Sequence, residues 1–281
     1  MLSCIGLAAF IFCFGMSQTH AQVVDSSLTT ITDIISDVSD VVVPGNVTHI
    51  RFGLGPVYSP DYEGSDDYKI GVKPLISFRY RNLVHVDNNH IRINVFGHDA
   101  LIPSIDFNAG PLVKIDFGRD ETDNPDLTGL GDIGSSIELG VFASYTIGRT
   151  RVRIRLRKDV TGGHSGTEFG GDVRVVLYKA GSLAVIGSIN STWSDSDYMD
   201  SYFSINDIQA LNSGLTVFNA NSGLKDVRLA LGASYLINLN WDIIANASYT
   251  RLLGDVRHSP IVKIRGSSNQ FVAGVFAIYS F

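Results

Sequence analysis

The sequence predicts an all-β protein, an antiparallel transmembrane β-barrel of about twelve strands, with ten strands as the alternative. Apolar and polar residues alternate over long segments from Val47 onward. These segments run about 10 to 13 residues, longer than the roughly 5 to 6 of soluble strands and close to the 9 to 11 that a tilted strand needs to cross lipid. The connections between them are alternately short and long. Segment length and loop pattern together favour a membrane barrel over a soluble sandwich.

The first segment, residues 1–21, is predicted to be a cleaved signal peptide. Leu2 to Met16 is almost wholly apolar, and Thr19-His20-Ala21 offers small residues where a signal peptidase cleaves. The alternative is an uncleaved anchor, but the run of about 15 residues is shorter than the roughly 20 that span a bilayer as a helix. Both cysteines, Cys4 and Cys13, lie here. The mature chain therefore needs no disulfide and offers no thiolate metal ligand.

Composition narrows the class further. The net charge is −6, which argues against nucleic acid as a partner because nucleic-acid-binding surfaces are basic. Beyond the signal peptide no apolar run is long enough for a transmembrane helix, so a closed barrel is the remaining way to satisfy the backbone in lipid. Residues 22–46 mix Asp with Ile and Val and end after Pro44-Gly45. We expect a periplasmic tail or linker there, or a loose helix, followed by an outer-membrane barrel over residues 47–281.

The clearest alternation runs from Arg151 to Arg157. Four arginines fall on one face of this strand and three aliphatic residues fall on the other. In an outer-membrane barrel the aliphatic face meets lipid and the arginines face the lumen. The acidic residues Glu138, Asp116 and Asp172 lie on the polar faces of nearby predicted strands. The lumen-lining candidates are Arg151, Arg153, Arg155, Arg157 and Glu138.

Two interpretations of the arginine row remain open. The first is a salt-bridged plug, which we prefer because a barrel of ten to twelve strands has little spare interior. The second is a positive lining that favours anions, as charged rings do in pores.

The last strand carries a candidate assembly signal. Alternate residues from Phe271 to Phe281 are apolar or aromatic, and the chain ends with Tyr279 two places before Phe281. This ending resembles the C-terminal signature that the barrel assembly machinery reads, which makes that machinery and outer-membrane lipid expected partners. The long connections are residues 59–68, 119–133, 161–170, 194–223 and 253–268, and we expect them outside the cell.

Three weaker patterns could indicate metal binding or catalysis. Asp61, Glu63, Asp66 and Asp67 could hold Ca²⁺, but they do not follow the spacing of a calcium loop, and a solvated hairpin loop is the better interpretation. The pairs His164-Ser165 and His258-Ser259 invite comparison with barrel hydrolases. Neighbouring residues in a strand point to opposite faces, however, and both pairs fall in predicted loops. No catalytic residue, cofactor site or metal site is predicted.

Several short motifs follow one another along the chain. They are Gly55-Pro56-Val57-Tyr58-Ser59-Pro60-Asp61-Tyr62-Glu63-Gly64-Ser65-Asp66-Asp67-Tyr68, Lys73-Pro74-Leu75-Ile76, Phe117-Gly118-Arg119-Asp120, Leu127-Thr128-Gly129-Leu130-Gly131-Asp132, Trp193-Ser194-Asp195, Tyr202-Phe203-Ser204-Ile205, Ser222-Gly223-Leu224-Lys225-Asp226, Arg251-Leu252-Leu253-Gly254-Asp255 and Ser259-Pro260-Ile261-Val262. Their order and spacing resemble the MltA-interacting protein / OmpV family of outer-membrane proteins, from about Phe52 to Phe281. The resemblance implies a non-enzymatic scaffold that links the outer membrane to murein-remodelling enzymes, with a murein transglycosylase or synthase as partner. A small porin-like channel is the alternative, and an outer-membrane hydrolase is a third hypothesis.

Overall fold

The computed structural model describes residues 25–42, 48–98 and 100–281. The predicted signal peptide with its two cysteines lies outside these residues. The described strands are β1 (His49–Pro60), β2 (Tyr68–Tyr80), β3 (Val84–Asp87), β4 (His90–Ile93), β5 (Phe96–Gly97), β6 (Ile102–Pro103), β7 (Phe107–Asp116), β8 (Ser136–Ile147), β9 (Thr150–Asp159), β10 (Thr167–Ala180), β11 (Leu183–Ser194), β12 (Gly223–Leu236), β13 (Trp241–Leu252) and β14 (Asn269–Ser280). The described α-helices are α1 (Asp25–Val42), α2 (Ser196–Phe203), α3 (Asp207–Ser213), α4 (Gly254–His258) and α5 (Pro260–Lys263).

The strands form one sheet that closes on itself. β1 pairs with β14, and neighbours in sequence pair from β14 back to β7. β4 pairs with both β3 and β7, which completes the ring. β5 and β6 are short pieces in the connection between β4 and β7. The wall therefore has twelve antiparallel strands, and the predicted fold class and strand count are confirmed.

The wall is shorter along the barrel axis at β3 and β4 than elsewhere. β3 and β4 have four residues each, about a third of the length of their neighbours. β3 pairs with residues 77–80 of β2 only, whereas β2 begins at Tyr68. The first half of β2 is consequently paired on one side, by β1.

The outer face of the wall is apolar. Along β9, Val152, Ile154 and Leu156 are exposed while the intervening arginines point inward. The same alternation runs through β14, where Phe271 and Val275 are exposed. Aromatic side chains gather near both ends of the barrel, as the interfacial girdles of outer-membrane barrels do. Examples are Tyr58, Tyr68, Tyr249 and Phe271 at one end and Trp241, Tyr279 and Phe281 at the other.

The two ends of the barrel differ in their connections. Long connections lie at the end where β1, β7, β9, β11 and β13 finish, and short turns join β8 to β9 and β10 to β11 at the opposite end. We call the first the cap end and the second the turn end. Among the described helices, none is both long and apolar enough to cross a bilayer.

The loops at the cap end fold into a cap, defined here as residues 117–135, 195–222 and 253–268. Helices α2 to α5 belong to it. Its interior is apolar: Phe203 is 1% exposed and packs with Met199, Leu252 and Val256. A second apolar cluster joins the cap to the β1–β2 hairpin through Tyr62 and Leu127. The cap thus has an apolar core of its own, which meets the wall at Leu252 of β13.

Residues 25–42 do not form a loose tail. They form the 18-residue helix α1, which lies inside the barrel with Ile31, Ile34, Ile35 and Val38 buried. The expectation of a periplasmic tail or linker over residues 22–46 therefore requires correction for this segment. The physical reason is that the helix has an apolar face, which packs on apolar residues of the inner wall, and an acidic face, which pairs with arginines of the wall.

Candidate functional site in the barrel lumen

Helix α1 carries its apolar and acidic residues on different faces. Ile31, Ile34, Ile35 and Val38 follow the spacing of three and four residues that places side chains on one side of a helix. Asp33, Asp37 and Asp40 follow the same spacing with a different phase. A helix of this kind is stabilised where its apolar side meets an apolar surface and its acidic side meets positive charge.

The apolar face of α1 packs on inward-facing residues of the wall. Ile244 of β13 and Phe276 and Ile278 of β14 are fully buried and belong to the same cluster as Ile34 and Val38. The contact is close at Gly232 of β12, because a Cβ built there would lie 2.7 Å from Val38 Cγ2 and 2.8 Å from Ile34 Cγ2. Glycine at this position lets the helix approach the wall.

The acidic face of α1 meets the arginine row of β9. Arg151 pairs with Asp37 and lies 2.7 Å from an oxygen of Asp40. Arg155 lies 2.7 Å from Asp33. The structure places Arg151, Arg153 and Arg155 in the interior, each less than a tenth exposed. The aspartates of α1 are the partners that the sequence reasoning missed.

Carboxylates of the wall complete the charge balance. Arg153 donates to Asp172 at 2.7 Å. Arg157 lies 2.9 Å from Glu138 and 2.7 Å from Glu168. Glu138 is buried on the inner face, as are Asp172 and Glu168. The row is thus enclosed by carboxylates from both the wall and the helix.

Asp116 does not pair with the arginine row. Lys114 Nζ lies 2.8 Å from Asp116 and 3.3 Å from Glu138. Tyr202 of α2 donates a hydrogen bond to Asp116, which ties the cap to the inner wall. Sequence reasoning placed Asp116 on the correct strand but missed Lys114, two residues away, as its partner.

A second group of arginines holds α1 from the side of β2, β4 and β10. Arg79 pairs with Asp40 at 2.6 Å, and Arg92 donates to Ser36 Oγ at 2.6 Å. Arg174 donates to the backbone carbonyl of Asp37 at 3.0 Å. Sequence reasoning missed these three arginines because each stands alone in its strand. Their signal was the position of each on the polar face of an alternating segment.

Neither His-Ser pair assembles into a nucleophile and base. His164 is buried, its Nδ1 accepts from the backbone N–H of Gly166, and its Nε2 lies 3.3 Å from Glu138, whereas Ser165 is exposed. Ser259 is buried and donates to the carbonyl of Phe203 at 2.7 Å. His258 is exposed. The buried member of each pair contacts the cap, His164 through the ring of Tyr198 and Ser259 through the carbonyl of Phe203.

At two candidate metal positions, the carboxylates already accept hydrogen bonds from other side chains of the protein. Asp116, Glu138 and His164 bring ligand atoms within 4.8 Å of one another, but the Lys114 ammonium hydrogen-bonds both carboxylates. The acidic loop after β1 is likewise engaged, because Asn124 donates to Asp61 and Asp67. These groups form hydrogen-bonded networks.

Two ionisable groups of the cap, Tyr198 and Asp255, have shifted pKa values. Burial raises the pKa of Tyr198 well above its ordinary value, and the nearby Glu168 and Glu63 carboxylates reinforce the shift. Donation from the backbone and side chain of Asn221 lowers the pKa of Asp255. Tyr198 therefore remains a neutral hydrogen-bonding group, and its ring lies 4.7 Å from Lys225 Nζ.

Little space remains around α1 in the middle of the barrel. Cavities of about 20 Å³ and about 50 Å³ lie beside its acidic face, lined by Asp33, Arg155 and Arg157. The smaller volume is close to that of one water molecule. Among the described residues, α1 occupies the lumen and the cap covers one mouth of the barrel.

The assembly-signal residues lie at the turn end of β14. Tyr279 contacts Trp241 with ring centroids 5.1 Å apart and Phe281 at 4.8 Å. The backbone N–H of Phe281 donates to Ile50, so the last residue extends the seam between β14 and β1. The role of Tyr279 and Phe281 in assembly stays a prediction.

Comparison with known proteins identifies similar sequences. The pattern of the MltA-interacting protein MipA family matches residues 52–281. The chain is 26% identical to the outer membrane protein OmpV of Vibrio cholerae over 81% of this chain and 85% of that protein. It is 28% identical to Omp26La of Vibrio anguillarum over 54% of this chain, a match that spans 57% of the relative's length. It is 32% identical to the MltA-interacting protein of Escherichia coli over 30% of this chain and 34% of that protein.

Among solved structures, the NanC porin aligns over 83% of this chain and 99% of its own, with a TM-score of 0.43 and 10% identity. The KdgM porin aligns over 84% of this chain and 99% of its own, with a TM-score of 0.41 and 11% identity.

Proposed function

The chain belongs to the MltA-interacting protein MipA family and is an outer-membrane protein, and we propose that it is a closed barrel that anchors a murein-remodelling enzyme. The observation that carries the proposal is the filled lumen. Helix α1 neutralises the arginine row from within and packs an apolar face on the wall. A helix buried in the lumen obstructs the passage of solutes through a channel. An anchor, by contrast, requires only a stable wall and an exposed contact surface.

The contact surface that fits this role lies at the turn end, in the connection between β4 and β7. Leu101, Ile102 and Ile105 are exposed there, and Ile105 is 84% exposed. Exposed apolar side chains grouped in an irregular connection are typical of a protein contact surface. The partner proposed is a murein transglycosylase, the chemistry to which the name of the Escherichia coli relative points.

A pull-down from purified components tests the anchor. The L101S/I105S double variant should reduce capture of a murein transglycosylase by about tenfold or more, since it removes apolar area that the contact would bury. The matched control is Leu239→Ser, because Leu239 is also exposed in a connection at the turn end. Equal capture by the wild type and the double variant would reject this surface, and no capture by the wild type would reject the anchor.

A gated channel is the second candidate. Its supporting observation is that α1 is held to β9 by side-chain ion pairs rather than by a strand ladder. If α1 left the lumen, the arginine row would line an anion path. Planar-bilayer recordings should show almost no conductance for the wild type and a large increase after deletion of residues 25–42. An anchor that gates would also open in the wild type on addition of the enzyme, and a permanently closed anchor would not.

The anchor requires a defined orientation. The turn end should face the periplasm and the cap should face outward, as long loops do in bacterial barrels. An epitope inserted within residues 207–213 should be labelled on intact cells. Labelling that appears only after permeabilisation would place the proposed contact surface on the wrong side.

A further inference from the structure

A pocket opens at the turn end, beside the C-terminal part of α1. Its volume is about 260 Å³, just below the roughly 300–1,000 Å³ of pockets that take drug-sized ligands. The charged groups that line it come from α1 and from strands on two sides of the barrel. They are Asp40, Arg79, His85, Arg92, Arg151 and Arg174.

The charge in this pocket is unbalanced. Four guanidinium groups line it, and among the described residues its one lining carboxylate is Asp40. Asp40 lies 2.6 Å from Arg79, 2.7 Å from Arg151 and 3.9 Å from Arg174, so three cations share it. The neighbouring Asp37 and Asp87 each engage one of these arginines, Arg151 and Arg92, which still leaves positive charge in excess.

Several donors in the pocket lack a protein partner. The Nε atoms of Arg79, Arg151 and Arg174 are buried without a hydrogen-bond acceptor. His85 is 7% exposed, and neither of its ring nitrogens has a hydrogen-bond partner. Buried polar groups are nearly always paired, because an unpaired donor costs about 1–3 kcal/mol. Around this cavity the described residues supply one acceptor without a hydrogen-bond partner, Asp40 Oδ1, so the unpaired donors of four side chains outnumber it.

The pocket is accessible from the turn end. Its rim includes His98 and Ile105, both exposed. Polar side chains of the wall, such as Ser144 and Thr146, line it between the arginines. Among the residues that the structure describes, the rim therefore offers a ligand a path from bulk solvent that displaces neither α1 nor the cap.

We propose that this turn-end pocket binds a small, multiply charged oxyanion, a carboxylate or phosphate compound of at most the size of a monosaccharide. Planar guanidinium groups recognise carboxylate and phosphate oxygens through paired N–H donors, and converging arginines select ligands that carry more than one such group. His85 of β3 adds its ring nitrogens to the lining of the pocket. The site does not depend on the anchor role, since its charged groups are different residues from the exposed apolar side chains, of which Ile105 alone lies on the rim.

Titration of the purified full-length protein in detergent tests the site, with citrate and inorganic phosphate as probes and glucose as the neutral control. We expect saturable binding of one of the two anions, weakened by salt, and no binding of glucose. Arg174→Gln should weaken binding by about tenfold, the effect of one charge-assisted hydrogen bond. Arg174 is chosen because its polar contacts to α1 are a backbone carbonyl and a distant carboxylate.

The matched control is Arg228→Gln, a lumen arginine outside the pocket that contacts Thr250. It should leave binding unchanged. Citrate binding with weak phosphate binding would assign a carboxylate ligand, and the reverse would assign a phosphate. In the wild type, the His85 ring resonances should shift on saturation, and His85→Gln identifies them by their loss. Absence of saturable binding of either anion, or equal loss in Arg174→Gln and Arg228→Gln, would overturn the proposal.

Discussion

Two structures close this barrel, and they are held by different forces. The cap closes the lumen with apolar packing, in which Phe203, Met199 and Val256 are almost fully buried. Helix α1 closes it with a mixed interface, apolar toward β13 and β14 and ionic toward β9. Apolar packing resists changes of charge, whereas buried ion pairs are destabilised strongly when one partner is removed.

The local sequence explains the difference. Two of the cap helices have side-chain caps: Asp195 accepts from the backbone N–H of Tyr198 at the start of α2, and Asn206 and Gln209 form a reciprocal capping box on α3. α1 instead depends on side chains of the wall for every charged contact. The cap should therefore behave as part of the fold, and α1 as the element whose position can be changed.

The largest effect is expected in the core of the cap. Phe203→Ala should lower the free energy of unfolding by about 3–5 kcal/mol, because it removes a buried ring and leaves a cavity. Protease sensitivity of residues 195–222 should rise in parallel. Leu211→Ala is the control, since Leu211 is 86% exposed. Similar losses for the two variants would show that the cap has no core of its own.

A smaller but still large effect is expected from a charge on the lipid face. Ile154→Arg should cost about 2–4 kcal/mol near the membrane midplane and impair folding. Arg153→Gln should be milder, because Asp37 and Asp172 each retain another arginine, Arg151 and Arg155. Folding yield by heat-modifiable migration measures both. Equal damage would mean that the inner and outer faces of β9 are assigned wrongly.

Asp37→Asn tests whether α1 and the cap open independently of each other. It should destabilise the docked helix by about 1–3 kcal/mol, since Arg151 and Arg153 lose a buried carboxylate but keep others. Hydrogen exchange should become faster in residues 25–42 and remain unchanged in α2. Faster exchange in both would show that the cap and the helix open together.

The smallest equilibrium effect is expected at the chain end. Deletion of Phe281 removes one exposed ring contact and one backbone hydrogen bond to Ile50. Stability should change little, but insertion into the outer membrane should slow. Pulse-labelled cells followed by heat-modifiable migration measure that rate, and an unchanged rate would reject the assembly signal.

The strands of the wall and their two faces were predictable from the sequence, while the helix inside the barrel was not. Alternation over Arg151 to Arg157 fixes the two faces of β9, because lipid and lumen impose opposite requirements on neighbouring residues. The last strand held a further signal that the sequence reasoning did not use. Val272, Phe276 and Ile278, on the inner face of β14, are also apolar. An apolar patch inside a polar lumen predicts that something apolar packs against it.

The position of α1 could not be read from its own residues. The spacing of Asp33, Asp37 and Asp40 is visible in the sequence, but a helix with this pattern is equally consistent with a surface location. Its place in the lumen depends on Gly232 and on arginines from four different strands. Contacts between residues so distant in sequence leave no local pattern.

The docked helix also has a consequence for the order of events during biogenesis. An isolated 18-residue helix with several Asp, Ser and Thr residues is marginal in water, because nucleation is unfavourable and these residues compete for backbone hydrogen bonds. α1 therefore gains most of its stability from the surrounding wall. Yet the wall closes through β1 and β14, at opposite ends of the barrel sequence. α1 contacts residues on both sides of this seam, Arg79 of β2 and Ile278 of β14, so its full set of contacts can form only once the seam has closed.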